Sequence, residues 1–495
     1  MYMIDTRRFW AAAAGLWLSG CLYGSVDDAS TGAALSDVTV QVVSGTCSGT
    51  GCTSPNIQLT SDGIYVFDAY GNYNGDADVQ LILPAAGEET VQFAFSKPGY
   101  TTVNVYHRPK YQTVTDNAGK SYLVSPLPVV YLCPVGAVDS DGDGICDAAE
   151  ARYGTNPFSA DTDGDRLSDS AELYGVSGVD LHYFGASPTH KDVFVEADYY
   201  AGRQPTAGAI QRVVDGFAAA PVSNPDGVNG IALHVDLSQQ IAAADAKSDL
   251  NPVWTDFDVI KAKYFPARRA RVFHYMLFAN TYGGGTSSGI SRGIPAHDFV
   301  VTLGGWPTPG GTELQQAGTM MHEFGHNLGL HHGGNEDANY KANYFSVMSY
   351  AYQVIGLRVD GVPEVLDYSR LRVGSFSEAA FSETAAFSAI APTTEADLAH
   401  YSVLIGGAWR AGTASANLDA NGNGVINGGL VAFDGDNDGD QIDTVSASQN
   451  DWLALLFDGA GQIGAGLGTS SALSRANPFL VRPEQMPPCL TAPAP

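Results

Sequence analysis

The run from residue 322 to residue 332 constrains this chain more than any other feature, and it reads His-Glu-Phe-Gly-His-Asn-Leu-Gly-Leu-His-His. Residues four apart lie on one face of a helix, so His322 and His326 can direct their imidazoles at one point. Gly329 has no Cβ and can adopt a left-handed conformation, which would end the helix and turn the chain back. The pattern therefore predicts a helix, a sharp turn, and the return of His332 to the same point.

Three imidazoles at one point predict a metal site. Zinc binds nitrogen ligands in a tetrahedral shell, and a catalytic zinc keeps one position open for water. The metal lowers the pKa of that water to about 7 and polarises a substrate carbonyl. We therefore expect Zn²⁺ on His322, His326 and His332. Glu323, beside the first histidine, is placed to act as the general base.

These residues resemble the signature of the metzincin clan of zinc metallopeptidases, H-E-x-x-H-x-x-G-x-x-H followed by a Met-turn. Residues 346–350, Ser-Val-Met-Ser-Tyr, resemble that Met-turn. The resemblance implies that Met348 lies beneath the metal and that Tyr350 approaches the zinc or the reaction oxyanion. It also implies hydrolysis of peptide bonds in a protein or peptide substrate. The substrate would lie extended against an edge strand, for which residues 296–303 are the candidate.

The sequence around this motif has an α/β pattern over residues 188–490. Short apolar runs predict strands at 193–197, 272–278 and 299–303, and helical periodicity covers 210–219 and 313–328. We expect this region to be a C-terminal α/β, metzincin-like catalytic domain. Close to the motif, Glu336 and Asp337 either orient a ligand histidine or lie in a solvated loop.

Residues 137–175 contain two acidic loops in matching register. Each twelve-residue loop has carboxylates at positions 1, 3, 5, 9 and 12, the spacing that supplies Ca²⁺ with hard oxygen ligands. The predicted calcium ligands are Asp139, Asp141, Asp143, Asp147 and Glu150 in the first loop, and Asp161, Asp163, Asp165, Asp169 and Glu172 in the second.

The turn glycine at position 6 is Gly144 in the first loop, but Arg166 stands there in the second. The tandem resembles thrombospondin type 3 repeats, which implies a calcium-binding linker between two domains; the alternative is a solvated acidic linker. Residues 419–430 and 434–443 contain further aspartates without a complete register, so calcium and polar turns both stay open there.

The first 21 residues have the features of an export signal. Arg7 and Arg8 precede an apolar run at residues 9–20, which is too short to span a bilayer. The run ends in Leu-Ser-Gly-Cys21, which resembles the lipobox of bacterial lipoproteins and implies acylation of Cys21. We expect a cell-envelope lipoprotein, at the outer membrane or cell surface or released from it. An ordinary signal peptide is the alternative.

Residues 22–133 have an all-β pattern. Runs at 38–43, 63–67, 79–83, 91–95 and 100–106 are β-branched or aromatic and are separated by Gly, Pro and Asn, which predicts a small β-sandwich. Residues 24–42 and 95–100 resemble carboxypeptidase-regulatory-like domains. Export makes disulfides plausible, with Cys133–Cys146 and Cys47–Cys52 as candidate pairs and Cys489 left over.

The charge balance restricts the partners. The chain has 53 acidic and 25 basic residues and a formal net charge of −28, whereas nucleic-acid binding needs a basic face. The sequence does not indicate an oligomeric state. Two functions remain: a lipid-anchored, calcium-stabilised zinc endopeptidase, or a calcium-dependent adhesion or scaffold protein with a non-catalytic zinc site.

Overall fold

A computed structural model describes residues 21–44, 56–58, 64–68, 90–110, 112–115, 121–392, 395–465 and 467. They form two compact units, one up to Lys191 and joined by Leu467, the other from Asp192 to Ala465. Within these residues, no helix has the length and apolar character needed to cross a membrane. Residues 1–20 of the expected export signal, Cys47, Cys52, Cys489 and the strand expected at 79–83 lie outside the described residues, whereas Cys21 begins strand β1 (Cys21–Asp28).

Two sheets make up the β-rich part of the first unit. One sheet has the order β3-β2-β5-β6 and is antiparallel; in the other, β4-β1-β8-β7, strand β1 also pairs with β9. Four of the expected strands correspond to β2, β4, β5 and β6. The strands described here are β1 (Cys21–Asp28), β2 (Thr39–Ser44), β3 (Asn56–Gln58), β4 (Ile64–Asp68), β5 (Val91–Ser96), β6 (Val103–His107), β7 (Gln112–Thr115), β8 (Ser121–Pro126) and β9 (Val130–Leu132).

The acidic segment packs into the same core as these strands. Ile145, Ala149 and Leu173 join Val40 and Phe93 in one buried cluster. The predicted disulfide between Cys133 and Cys146 is confirmed and lies in this core. The segment expected to be a linker is therefore part of the first unit, because its acidic loops alternate with apolar residues that need burial. Helices α1 (Asp147–Tyr153) and α2 (Asp169–Tyr174) lie in this segment, and α3 (Leu181–Phe184) follows it in the first unit.

A five-stranded sheet forms the centre of the second unit. Its order is β11-β10-β12-β14-β13; the first four strands run parallel, and β13 is antiparallel at the edge. The strands are β10 (Asp192–Tyr199), β11 (Ala232–Gln240), β12 (Phe273–Phe278), β13 (Gly289–Ser291) and β14 (Asp298–Val301). The expectation of an edge strand at residues 296–303 is wrong, because β14 pairs on both sides and all four of its residues are buried.

Three helices accompany this sheet, namely α4 (Ala207–Ala218), α5 (Val253–Tyr264) and α6 (Glu313–Asn327). Helix α4 buries Ala209, Val213 and Phe217, which are four residues apart and so share one face. Phe217 packs against Phe324 of α6, with ring centroids 5.5 Å apart. This contact helps to hold α6 in the core.

Residues 340–465 add a second core built from short strands and loops. Its centre is an aromatic cluster of Phe376, Phe381, Phe387 and Phe433. The elements are α7 (Glu395–Leu398) and β15 (Leu357–Val359), β16 (Val362–Val365), β17 (Phe376–Ser377), β18 (Phe381–Ser382), β19 (Leu404–Ile405), β20 (Ala408–Trp409), β21 (Leu430–Val431) and β22 (Thr444–Val445).

Candidate metal centre

Helix α6 positions the first two histidines and the glutamate. It begins with a capping box: the Thr312 hydroxyl accepts a hydrogen bond from the Gln315 backbone N–H, and the Gln315 side chain accepts from the Thr312 N–H. Every residue from Gln316 to Asn327 is buried. His322 and His326 are therefore fixed by both helix geometry and packing.

Gly329 delivers the third histidine. The helix ends at Asn327, and Gly329 has the left-handed φ of +93° that the sequence predicts. Its N–H donates to the His326 carbonyl at 3.0 Å, and the Leu330 N–H donates to the Gly325 carbonyl at 2.9 Å. After this turn, one ring nitrogen of each of the three histidines lies within 4.8 Å of the others.

Hydrogen bonds to backbone carbonyls orient two of the rings. Nδ1–H of His322 donates to the Val347 carbonyl at 2.9 Å, and Nδ1–H of His326 donates to the Leu330 carbonyl at 2.7 Å. Each Nε2 is thereby left as the metal-facing acceptor. Among the residues that the structure describes, the buried Nε2 atoms of His322, His326 and His332 have no hydrogen-bond partner.

Burial keeps these imidazoles neutral. Burial, together with the smaller effect of a neighbouring ligand histidine, lowers the pKa of His322 to about 3 and that of His332 to about 2. Burial also holds the pKa of His326 well below its usual value. Three neutral imidazole nitrogens that lie close together and have no hydrogen-bond partner among the described residues match the ligand set of a zinc site with one open position. The residues present therefore fit zinc.

Glu323 is on helix α6, and its side chain lies against the edge strand β13. Its side chain is fully buried. A Cβ added to Gly289 of β13 would lie 2.6 Å from Glu323 Oε1, so glycine is needed for the strand backbone to come this close. The carboxylate is thus placed next to both the histidine cluster and the sheet edge.

Met348 and Tyr350 both lie beside the cluster. A Cβ added to Gly325, between the two helical histidines, would lie 2.3 Å from Met348 Sδ. The Tyr350 ring is 4.6 Å from the His332 ring and 5.6 Å from the His322 ring, measured between centroids. The structure therefore brings Met348 against helix α6 between the two helical histidines and Tyr350 beside the rings of His322 and His332.

The segment 346–350 is held by a residue that the sequence reasoning missed. Asp451 is fully buried, and its Oδ2 accepts hydrogen bonds from the hydroxyls of Tyr344 and Ser346 and from the Ser369 N–H at 2.7, 2.7 and 3.0 Å. Burial raises its pKa to about 6. Asp451 lies 105 residues beyond Ser346 in no recognisable motif, so no local signal indicates this contact.

The acidic residues after the motif do not orient the first two ligands, whose Nδ1 atoms bind backbone carbonyls. Asp337 instead accepts from His331 Nδ1 at 2.8 Å, and Glu336 accepts from the ammonium of Lys341 at 2.8 Å.

In the first unit, the two acidic loops have equivalent geometry. Carboxylate oxygens of the residues at positions 1, 3 and 5 gather within 4.8 Å in both, namely Asp139, Asp141 and Asp143, and Asp161, Asp163 and Asp165. Arg166 has a φ of +81°, so it keeps the turn that Gly144 makes with a φ of +98°. The arginine thus does not prevent the second loop from forming.

Position 9 has the same role in both loops. Asp147 accepts from the N–H and hydroxyl of Ser140, and Asp169 accepts from those of Thr162. These bonds close each loop.

The glutamates at position 12, Glu150 and Glu172, are buried. Burial and the nearby aspartates raise the pKa of Glu150 to about 8, and burial raises the pKa values of Asp143 and Asp169 to about 6. Raised pKa values mean that these carboxyls lose their protons less readily when no cation is bound. Such a cluster of buried carboxyls is expected of a site that binds a cation.

The acidic stretches at residues 419–430 and 434–443 are each closed by a glutamate from elsewhere in the chain. Glu383 accepts from the N–H groups of Asn421 and Asn427, in the loop where Leu430 takes the twelfth position. Glu378 accepts from the N–H groups of Gly435 and Asp443. Both glutamates are fully buried, and the alternatives of calcium and polar turns stay open.

Comparison with known proteins bears on the acidic segment. Residues 139–160 match the bacterial TSP3 repeat. The predicted calcium-binding repeat is confirmed over the first loop and the residues that follow it, and the match ends just before the second loop.

No curated protein matches the chain. Among solved structures, a hydroxyquinol 1,2-dioxygenase from Pseudomonas putida is similar over 25% of this chain and 59% of its own, with 11% identity and a TM-score of 0.17. A catechol 1,2-dioxygenase from an Acinetobacter species is similar over 26% and 55%, with 12% identity and a TM-score of 0.17. The match spans less than two thirds of either dioxygenase, and at these TM-scores it carries no argument about function.

Proposed function

We propose that the second unit is a metzincin-like, zinc-dependent endopeptidase domain that cleaves peptide bonds in proteins. The observation that carries the proposal is the convergence of three buried Nε2 atoms that have no hydrogen-bond partner in the described part of the chain. His322, His326 and His332 would hold the zinc, and Glu323 follows the first of them on the same helix.

The roles of the side chains follow from their positions. Zinc, when bound, supplies a Lewis acid that activates water and polarises the scissile carbonyl. Glu323 would take the proton from the attacking water and pass it to the leaving amine. The Tyr350 hydroxyl would donate a hydrogen bond to the oxyanion. The β13 edge, where Gly289 approaches Glu323, would replace residues 296–303 as the strand that aligns an extended substrate.

A Glu323→Gln variant tests the proposal, because glutamine keeps the shape of the side chain but cannot act as a base. We expect zinc content equal to that of the wild type and a loss of activity on casein or gelatin of about 10²- to 10⁴-fold. A chelator should inhibit the wild type and zinc should restore it. Equal, chelator-insensitive activity in both proteins, or no activity in either, would overturn the proposal.

The calcium-binding repeat favours a second candidate function, a calcium-dependent adhesion or scaffold protein with a non-catalytic zinc site. The same experiment separates the two, since this candidate requires zinc binding without hydrolysis by the wild type. In either case we propose an exported protein attached to the cell envelope through lipid on Cys21. A Cys21→Ser variant should then move from the membrane fraction to the soluble fraction.

A further inference from the structure

Lys341 is a buried cation close to the third histidine. Its side chain is fully buried. A buried ammonium is costly unless it is paired and hydrogen-bonded. Four acceptors lie within hydrogen-bond distance of Nζ and share its three N–H donors. They are the carbonyl of Gly333 at 3.1 Å, Glu336 Oε1 at 2.8 Å, the Ser446 hydroxyl at 3.2 Å and the carbonyl of Ala447 at 3.0 Å. Lys341 therefore links the loop that follows His332 to residues 446–447.

The third histidine depends on this loop in a way that the other two do not. His322 and His326 are held by α6 and by Nδ1 bonds to backbone carbonyls. His332 lies outside the helix, beyond the turn at Gly329. Its position therefore depends on the backbone on either side of it, in addition to the ring contact with Tyr350.

That backbone forms a tight reversal. His331 and Gly334 exchange backbone hydrogen bonds at 2.9 and 3.0 Å, and the Gly333 N–H donates to the Glu336 carbonyl at 2.8 Å. A Cβ added to Gly333 would lie 2.3 Å from the Ala338 carbonyl oxygen. The remaining polar group of Gly333 is its carbonyl, and Lys341 binds it.

We infer that Lys341 is a positioning residue for the metal site, which fixes His332 by clamping the Gly333 carbonyl to residues 446–447. This inference rests on the proposed function, because it concerns the zinc affinity of the same three histidines. Residues that orient metal ligands from outside the ligand shell typically change metal affinity by about 10- to 100-fold when they are replaced.

The test compares Lys341→Met with Lys261→Met in the full chain. Methionine keeps most of the apolar stem and removes the donors. Lys261 is a suitable control because it is another largely buried lysine of the second unit, paired with Asp298. We expect Lys341→Met to lower zinc affinity by about 10- to 100-fold and Lys261→Met to change it less than about threefold. Unfolding of the metal-free proteins is measured in parallel to separate affinity from stability.

Cobalt substitution supplies a readout of ligand geometry. The visible spectrum of cobalt-loaded Lys341→Met should move toward that of a His332→Ala protein. Ser446→Ala removes the hydroxyl that accepts from Lys341 and donates to Glu336, and it should lower zinc affinity by a smaller factor. If Lys341→Met does not fold, the zinc affinity and cobalt spectrum of Ser446→Ala take its place in the test.

The inference is overturned if Lys341→Met has the zinc affinity and the cobalt spectrum of the wild type. If Lys341→Met does not fold, the same result in Ser446→Ala overturns it. Either result leaves the proposed function intact. A folded wild type that binds no zinc would overturn both.

Discussion

Replacing Gly325 with alanine tests the contact between α6 and Met348. The added Cβ would lie 2.3 Å from Met348 Sδ and 3.1 Å from the ring of Tyr368. Ordinary contacts between such atoms are about 3.5–4.0 Å, so the sulfur must move by more than about 1 Å. Met348 and Tyr368 are both fully buried, so neither can move into solvent.

Opposing effects determine how much Gly325→Ala changes the free energy of unfolding. Alanine is better than glycine inside a helix by about 0.8–1.0 kcal/mol. Overpacking a core costs about 1–3 kcal/mol. Displacing Tyr368 would also weaken the hydrogen bond from its hydroxyl to the Met321 carbonyl, at 2.6 Å, which contributes about 0.5–1.5 kcal/mol. We expect a net loss of about 2 kcal/mol in the free energy of unfolding, together with weaker zinc binding.

Urea unfolding of the metal-free protein, followed by zinc titration, measures both effects. Gly216→Ala is the matched control, since Gly216 also lies inside a helix but its added Cβ would be 3.2 Å from the nearest atom, the Leu366 carbonyl oxygen. The control should remain within about 1 kcal/mol of the wild type. A Gly325→Ala protein that is as stable as the wild type and binds zinc equally well would refute the placement of Met348 against the helix.

Three further predictions concern protons and the disulfide. Because the pKa values of His322 and His332 are already lowered to about 3 and 2, zinc affinity should change less than about twofold between pH 7 and pH 5. Each imidazole with an ordinary pKa would instead lower the affinity by about 25-fold over this range, so a steep fall in chelator-competition titrations would contradict the prediction. Burial raises the pKa of Glu150 to about 8, so at pH 7 the calcium-free carboxyl holds a proton that calcium binding releases. The calorimetric heat of calcium binding should therefore depend on the ionisation enthalpy of the buffer. Heats that are the same in all buffers would contradict this prediction. Replacing Cys133 and Cys146 with serine should cost the first unit about 2–4 kcal/mol, seen as a lower unfolding midpoint in denaturant, whereas a midpoint equal to that of the wild type would show that the disulfide does not stabilise the folded unit.

The sequence predicted the features that depend on short-range geometry. The four-residue spacing of His322 and His326 and the left-handed Gly329 are local properties, and the structure places them as expected. The disulfide and the first calcium-binding loop were also recognisable, because each depends on a short stretch of chain. The endopeptidase activity, the zinc and the lipid anchor stay predictions.

Features that join distant segments could not be predicted. Asp451 and Lys341 act through residues about 105 positions away, and nothing in their neighbouring sequence distinguishes them from ordinary polar residues. Strand β14 was mistaken for an edge strand because an apolar run predicts a strand but not its neighbours, and β13, the edge strand beside it, has only three residues. The acidic segment was expected to be a linker because its charge pattern obscured the buried Ile145 and Leu173.

The carbonyls of Val347 and Leu330 have a consequence for how this site tolerates variation. They select the metal-facing nitrogen of two histidines, yet they belong to the main chain, so no exchange of side chain removes them. Positions 347 and 330 can therefore accept any apolar residue that preserves the local backbone, because the tautomers of His322 and His326 do not change. In a library randomised at positions 330 and 347, many variants should still bind the metal. In a second library randomised at positions 325 and 329, almost all metal-binding variants should keep glycine at both positions.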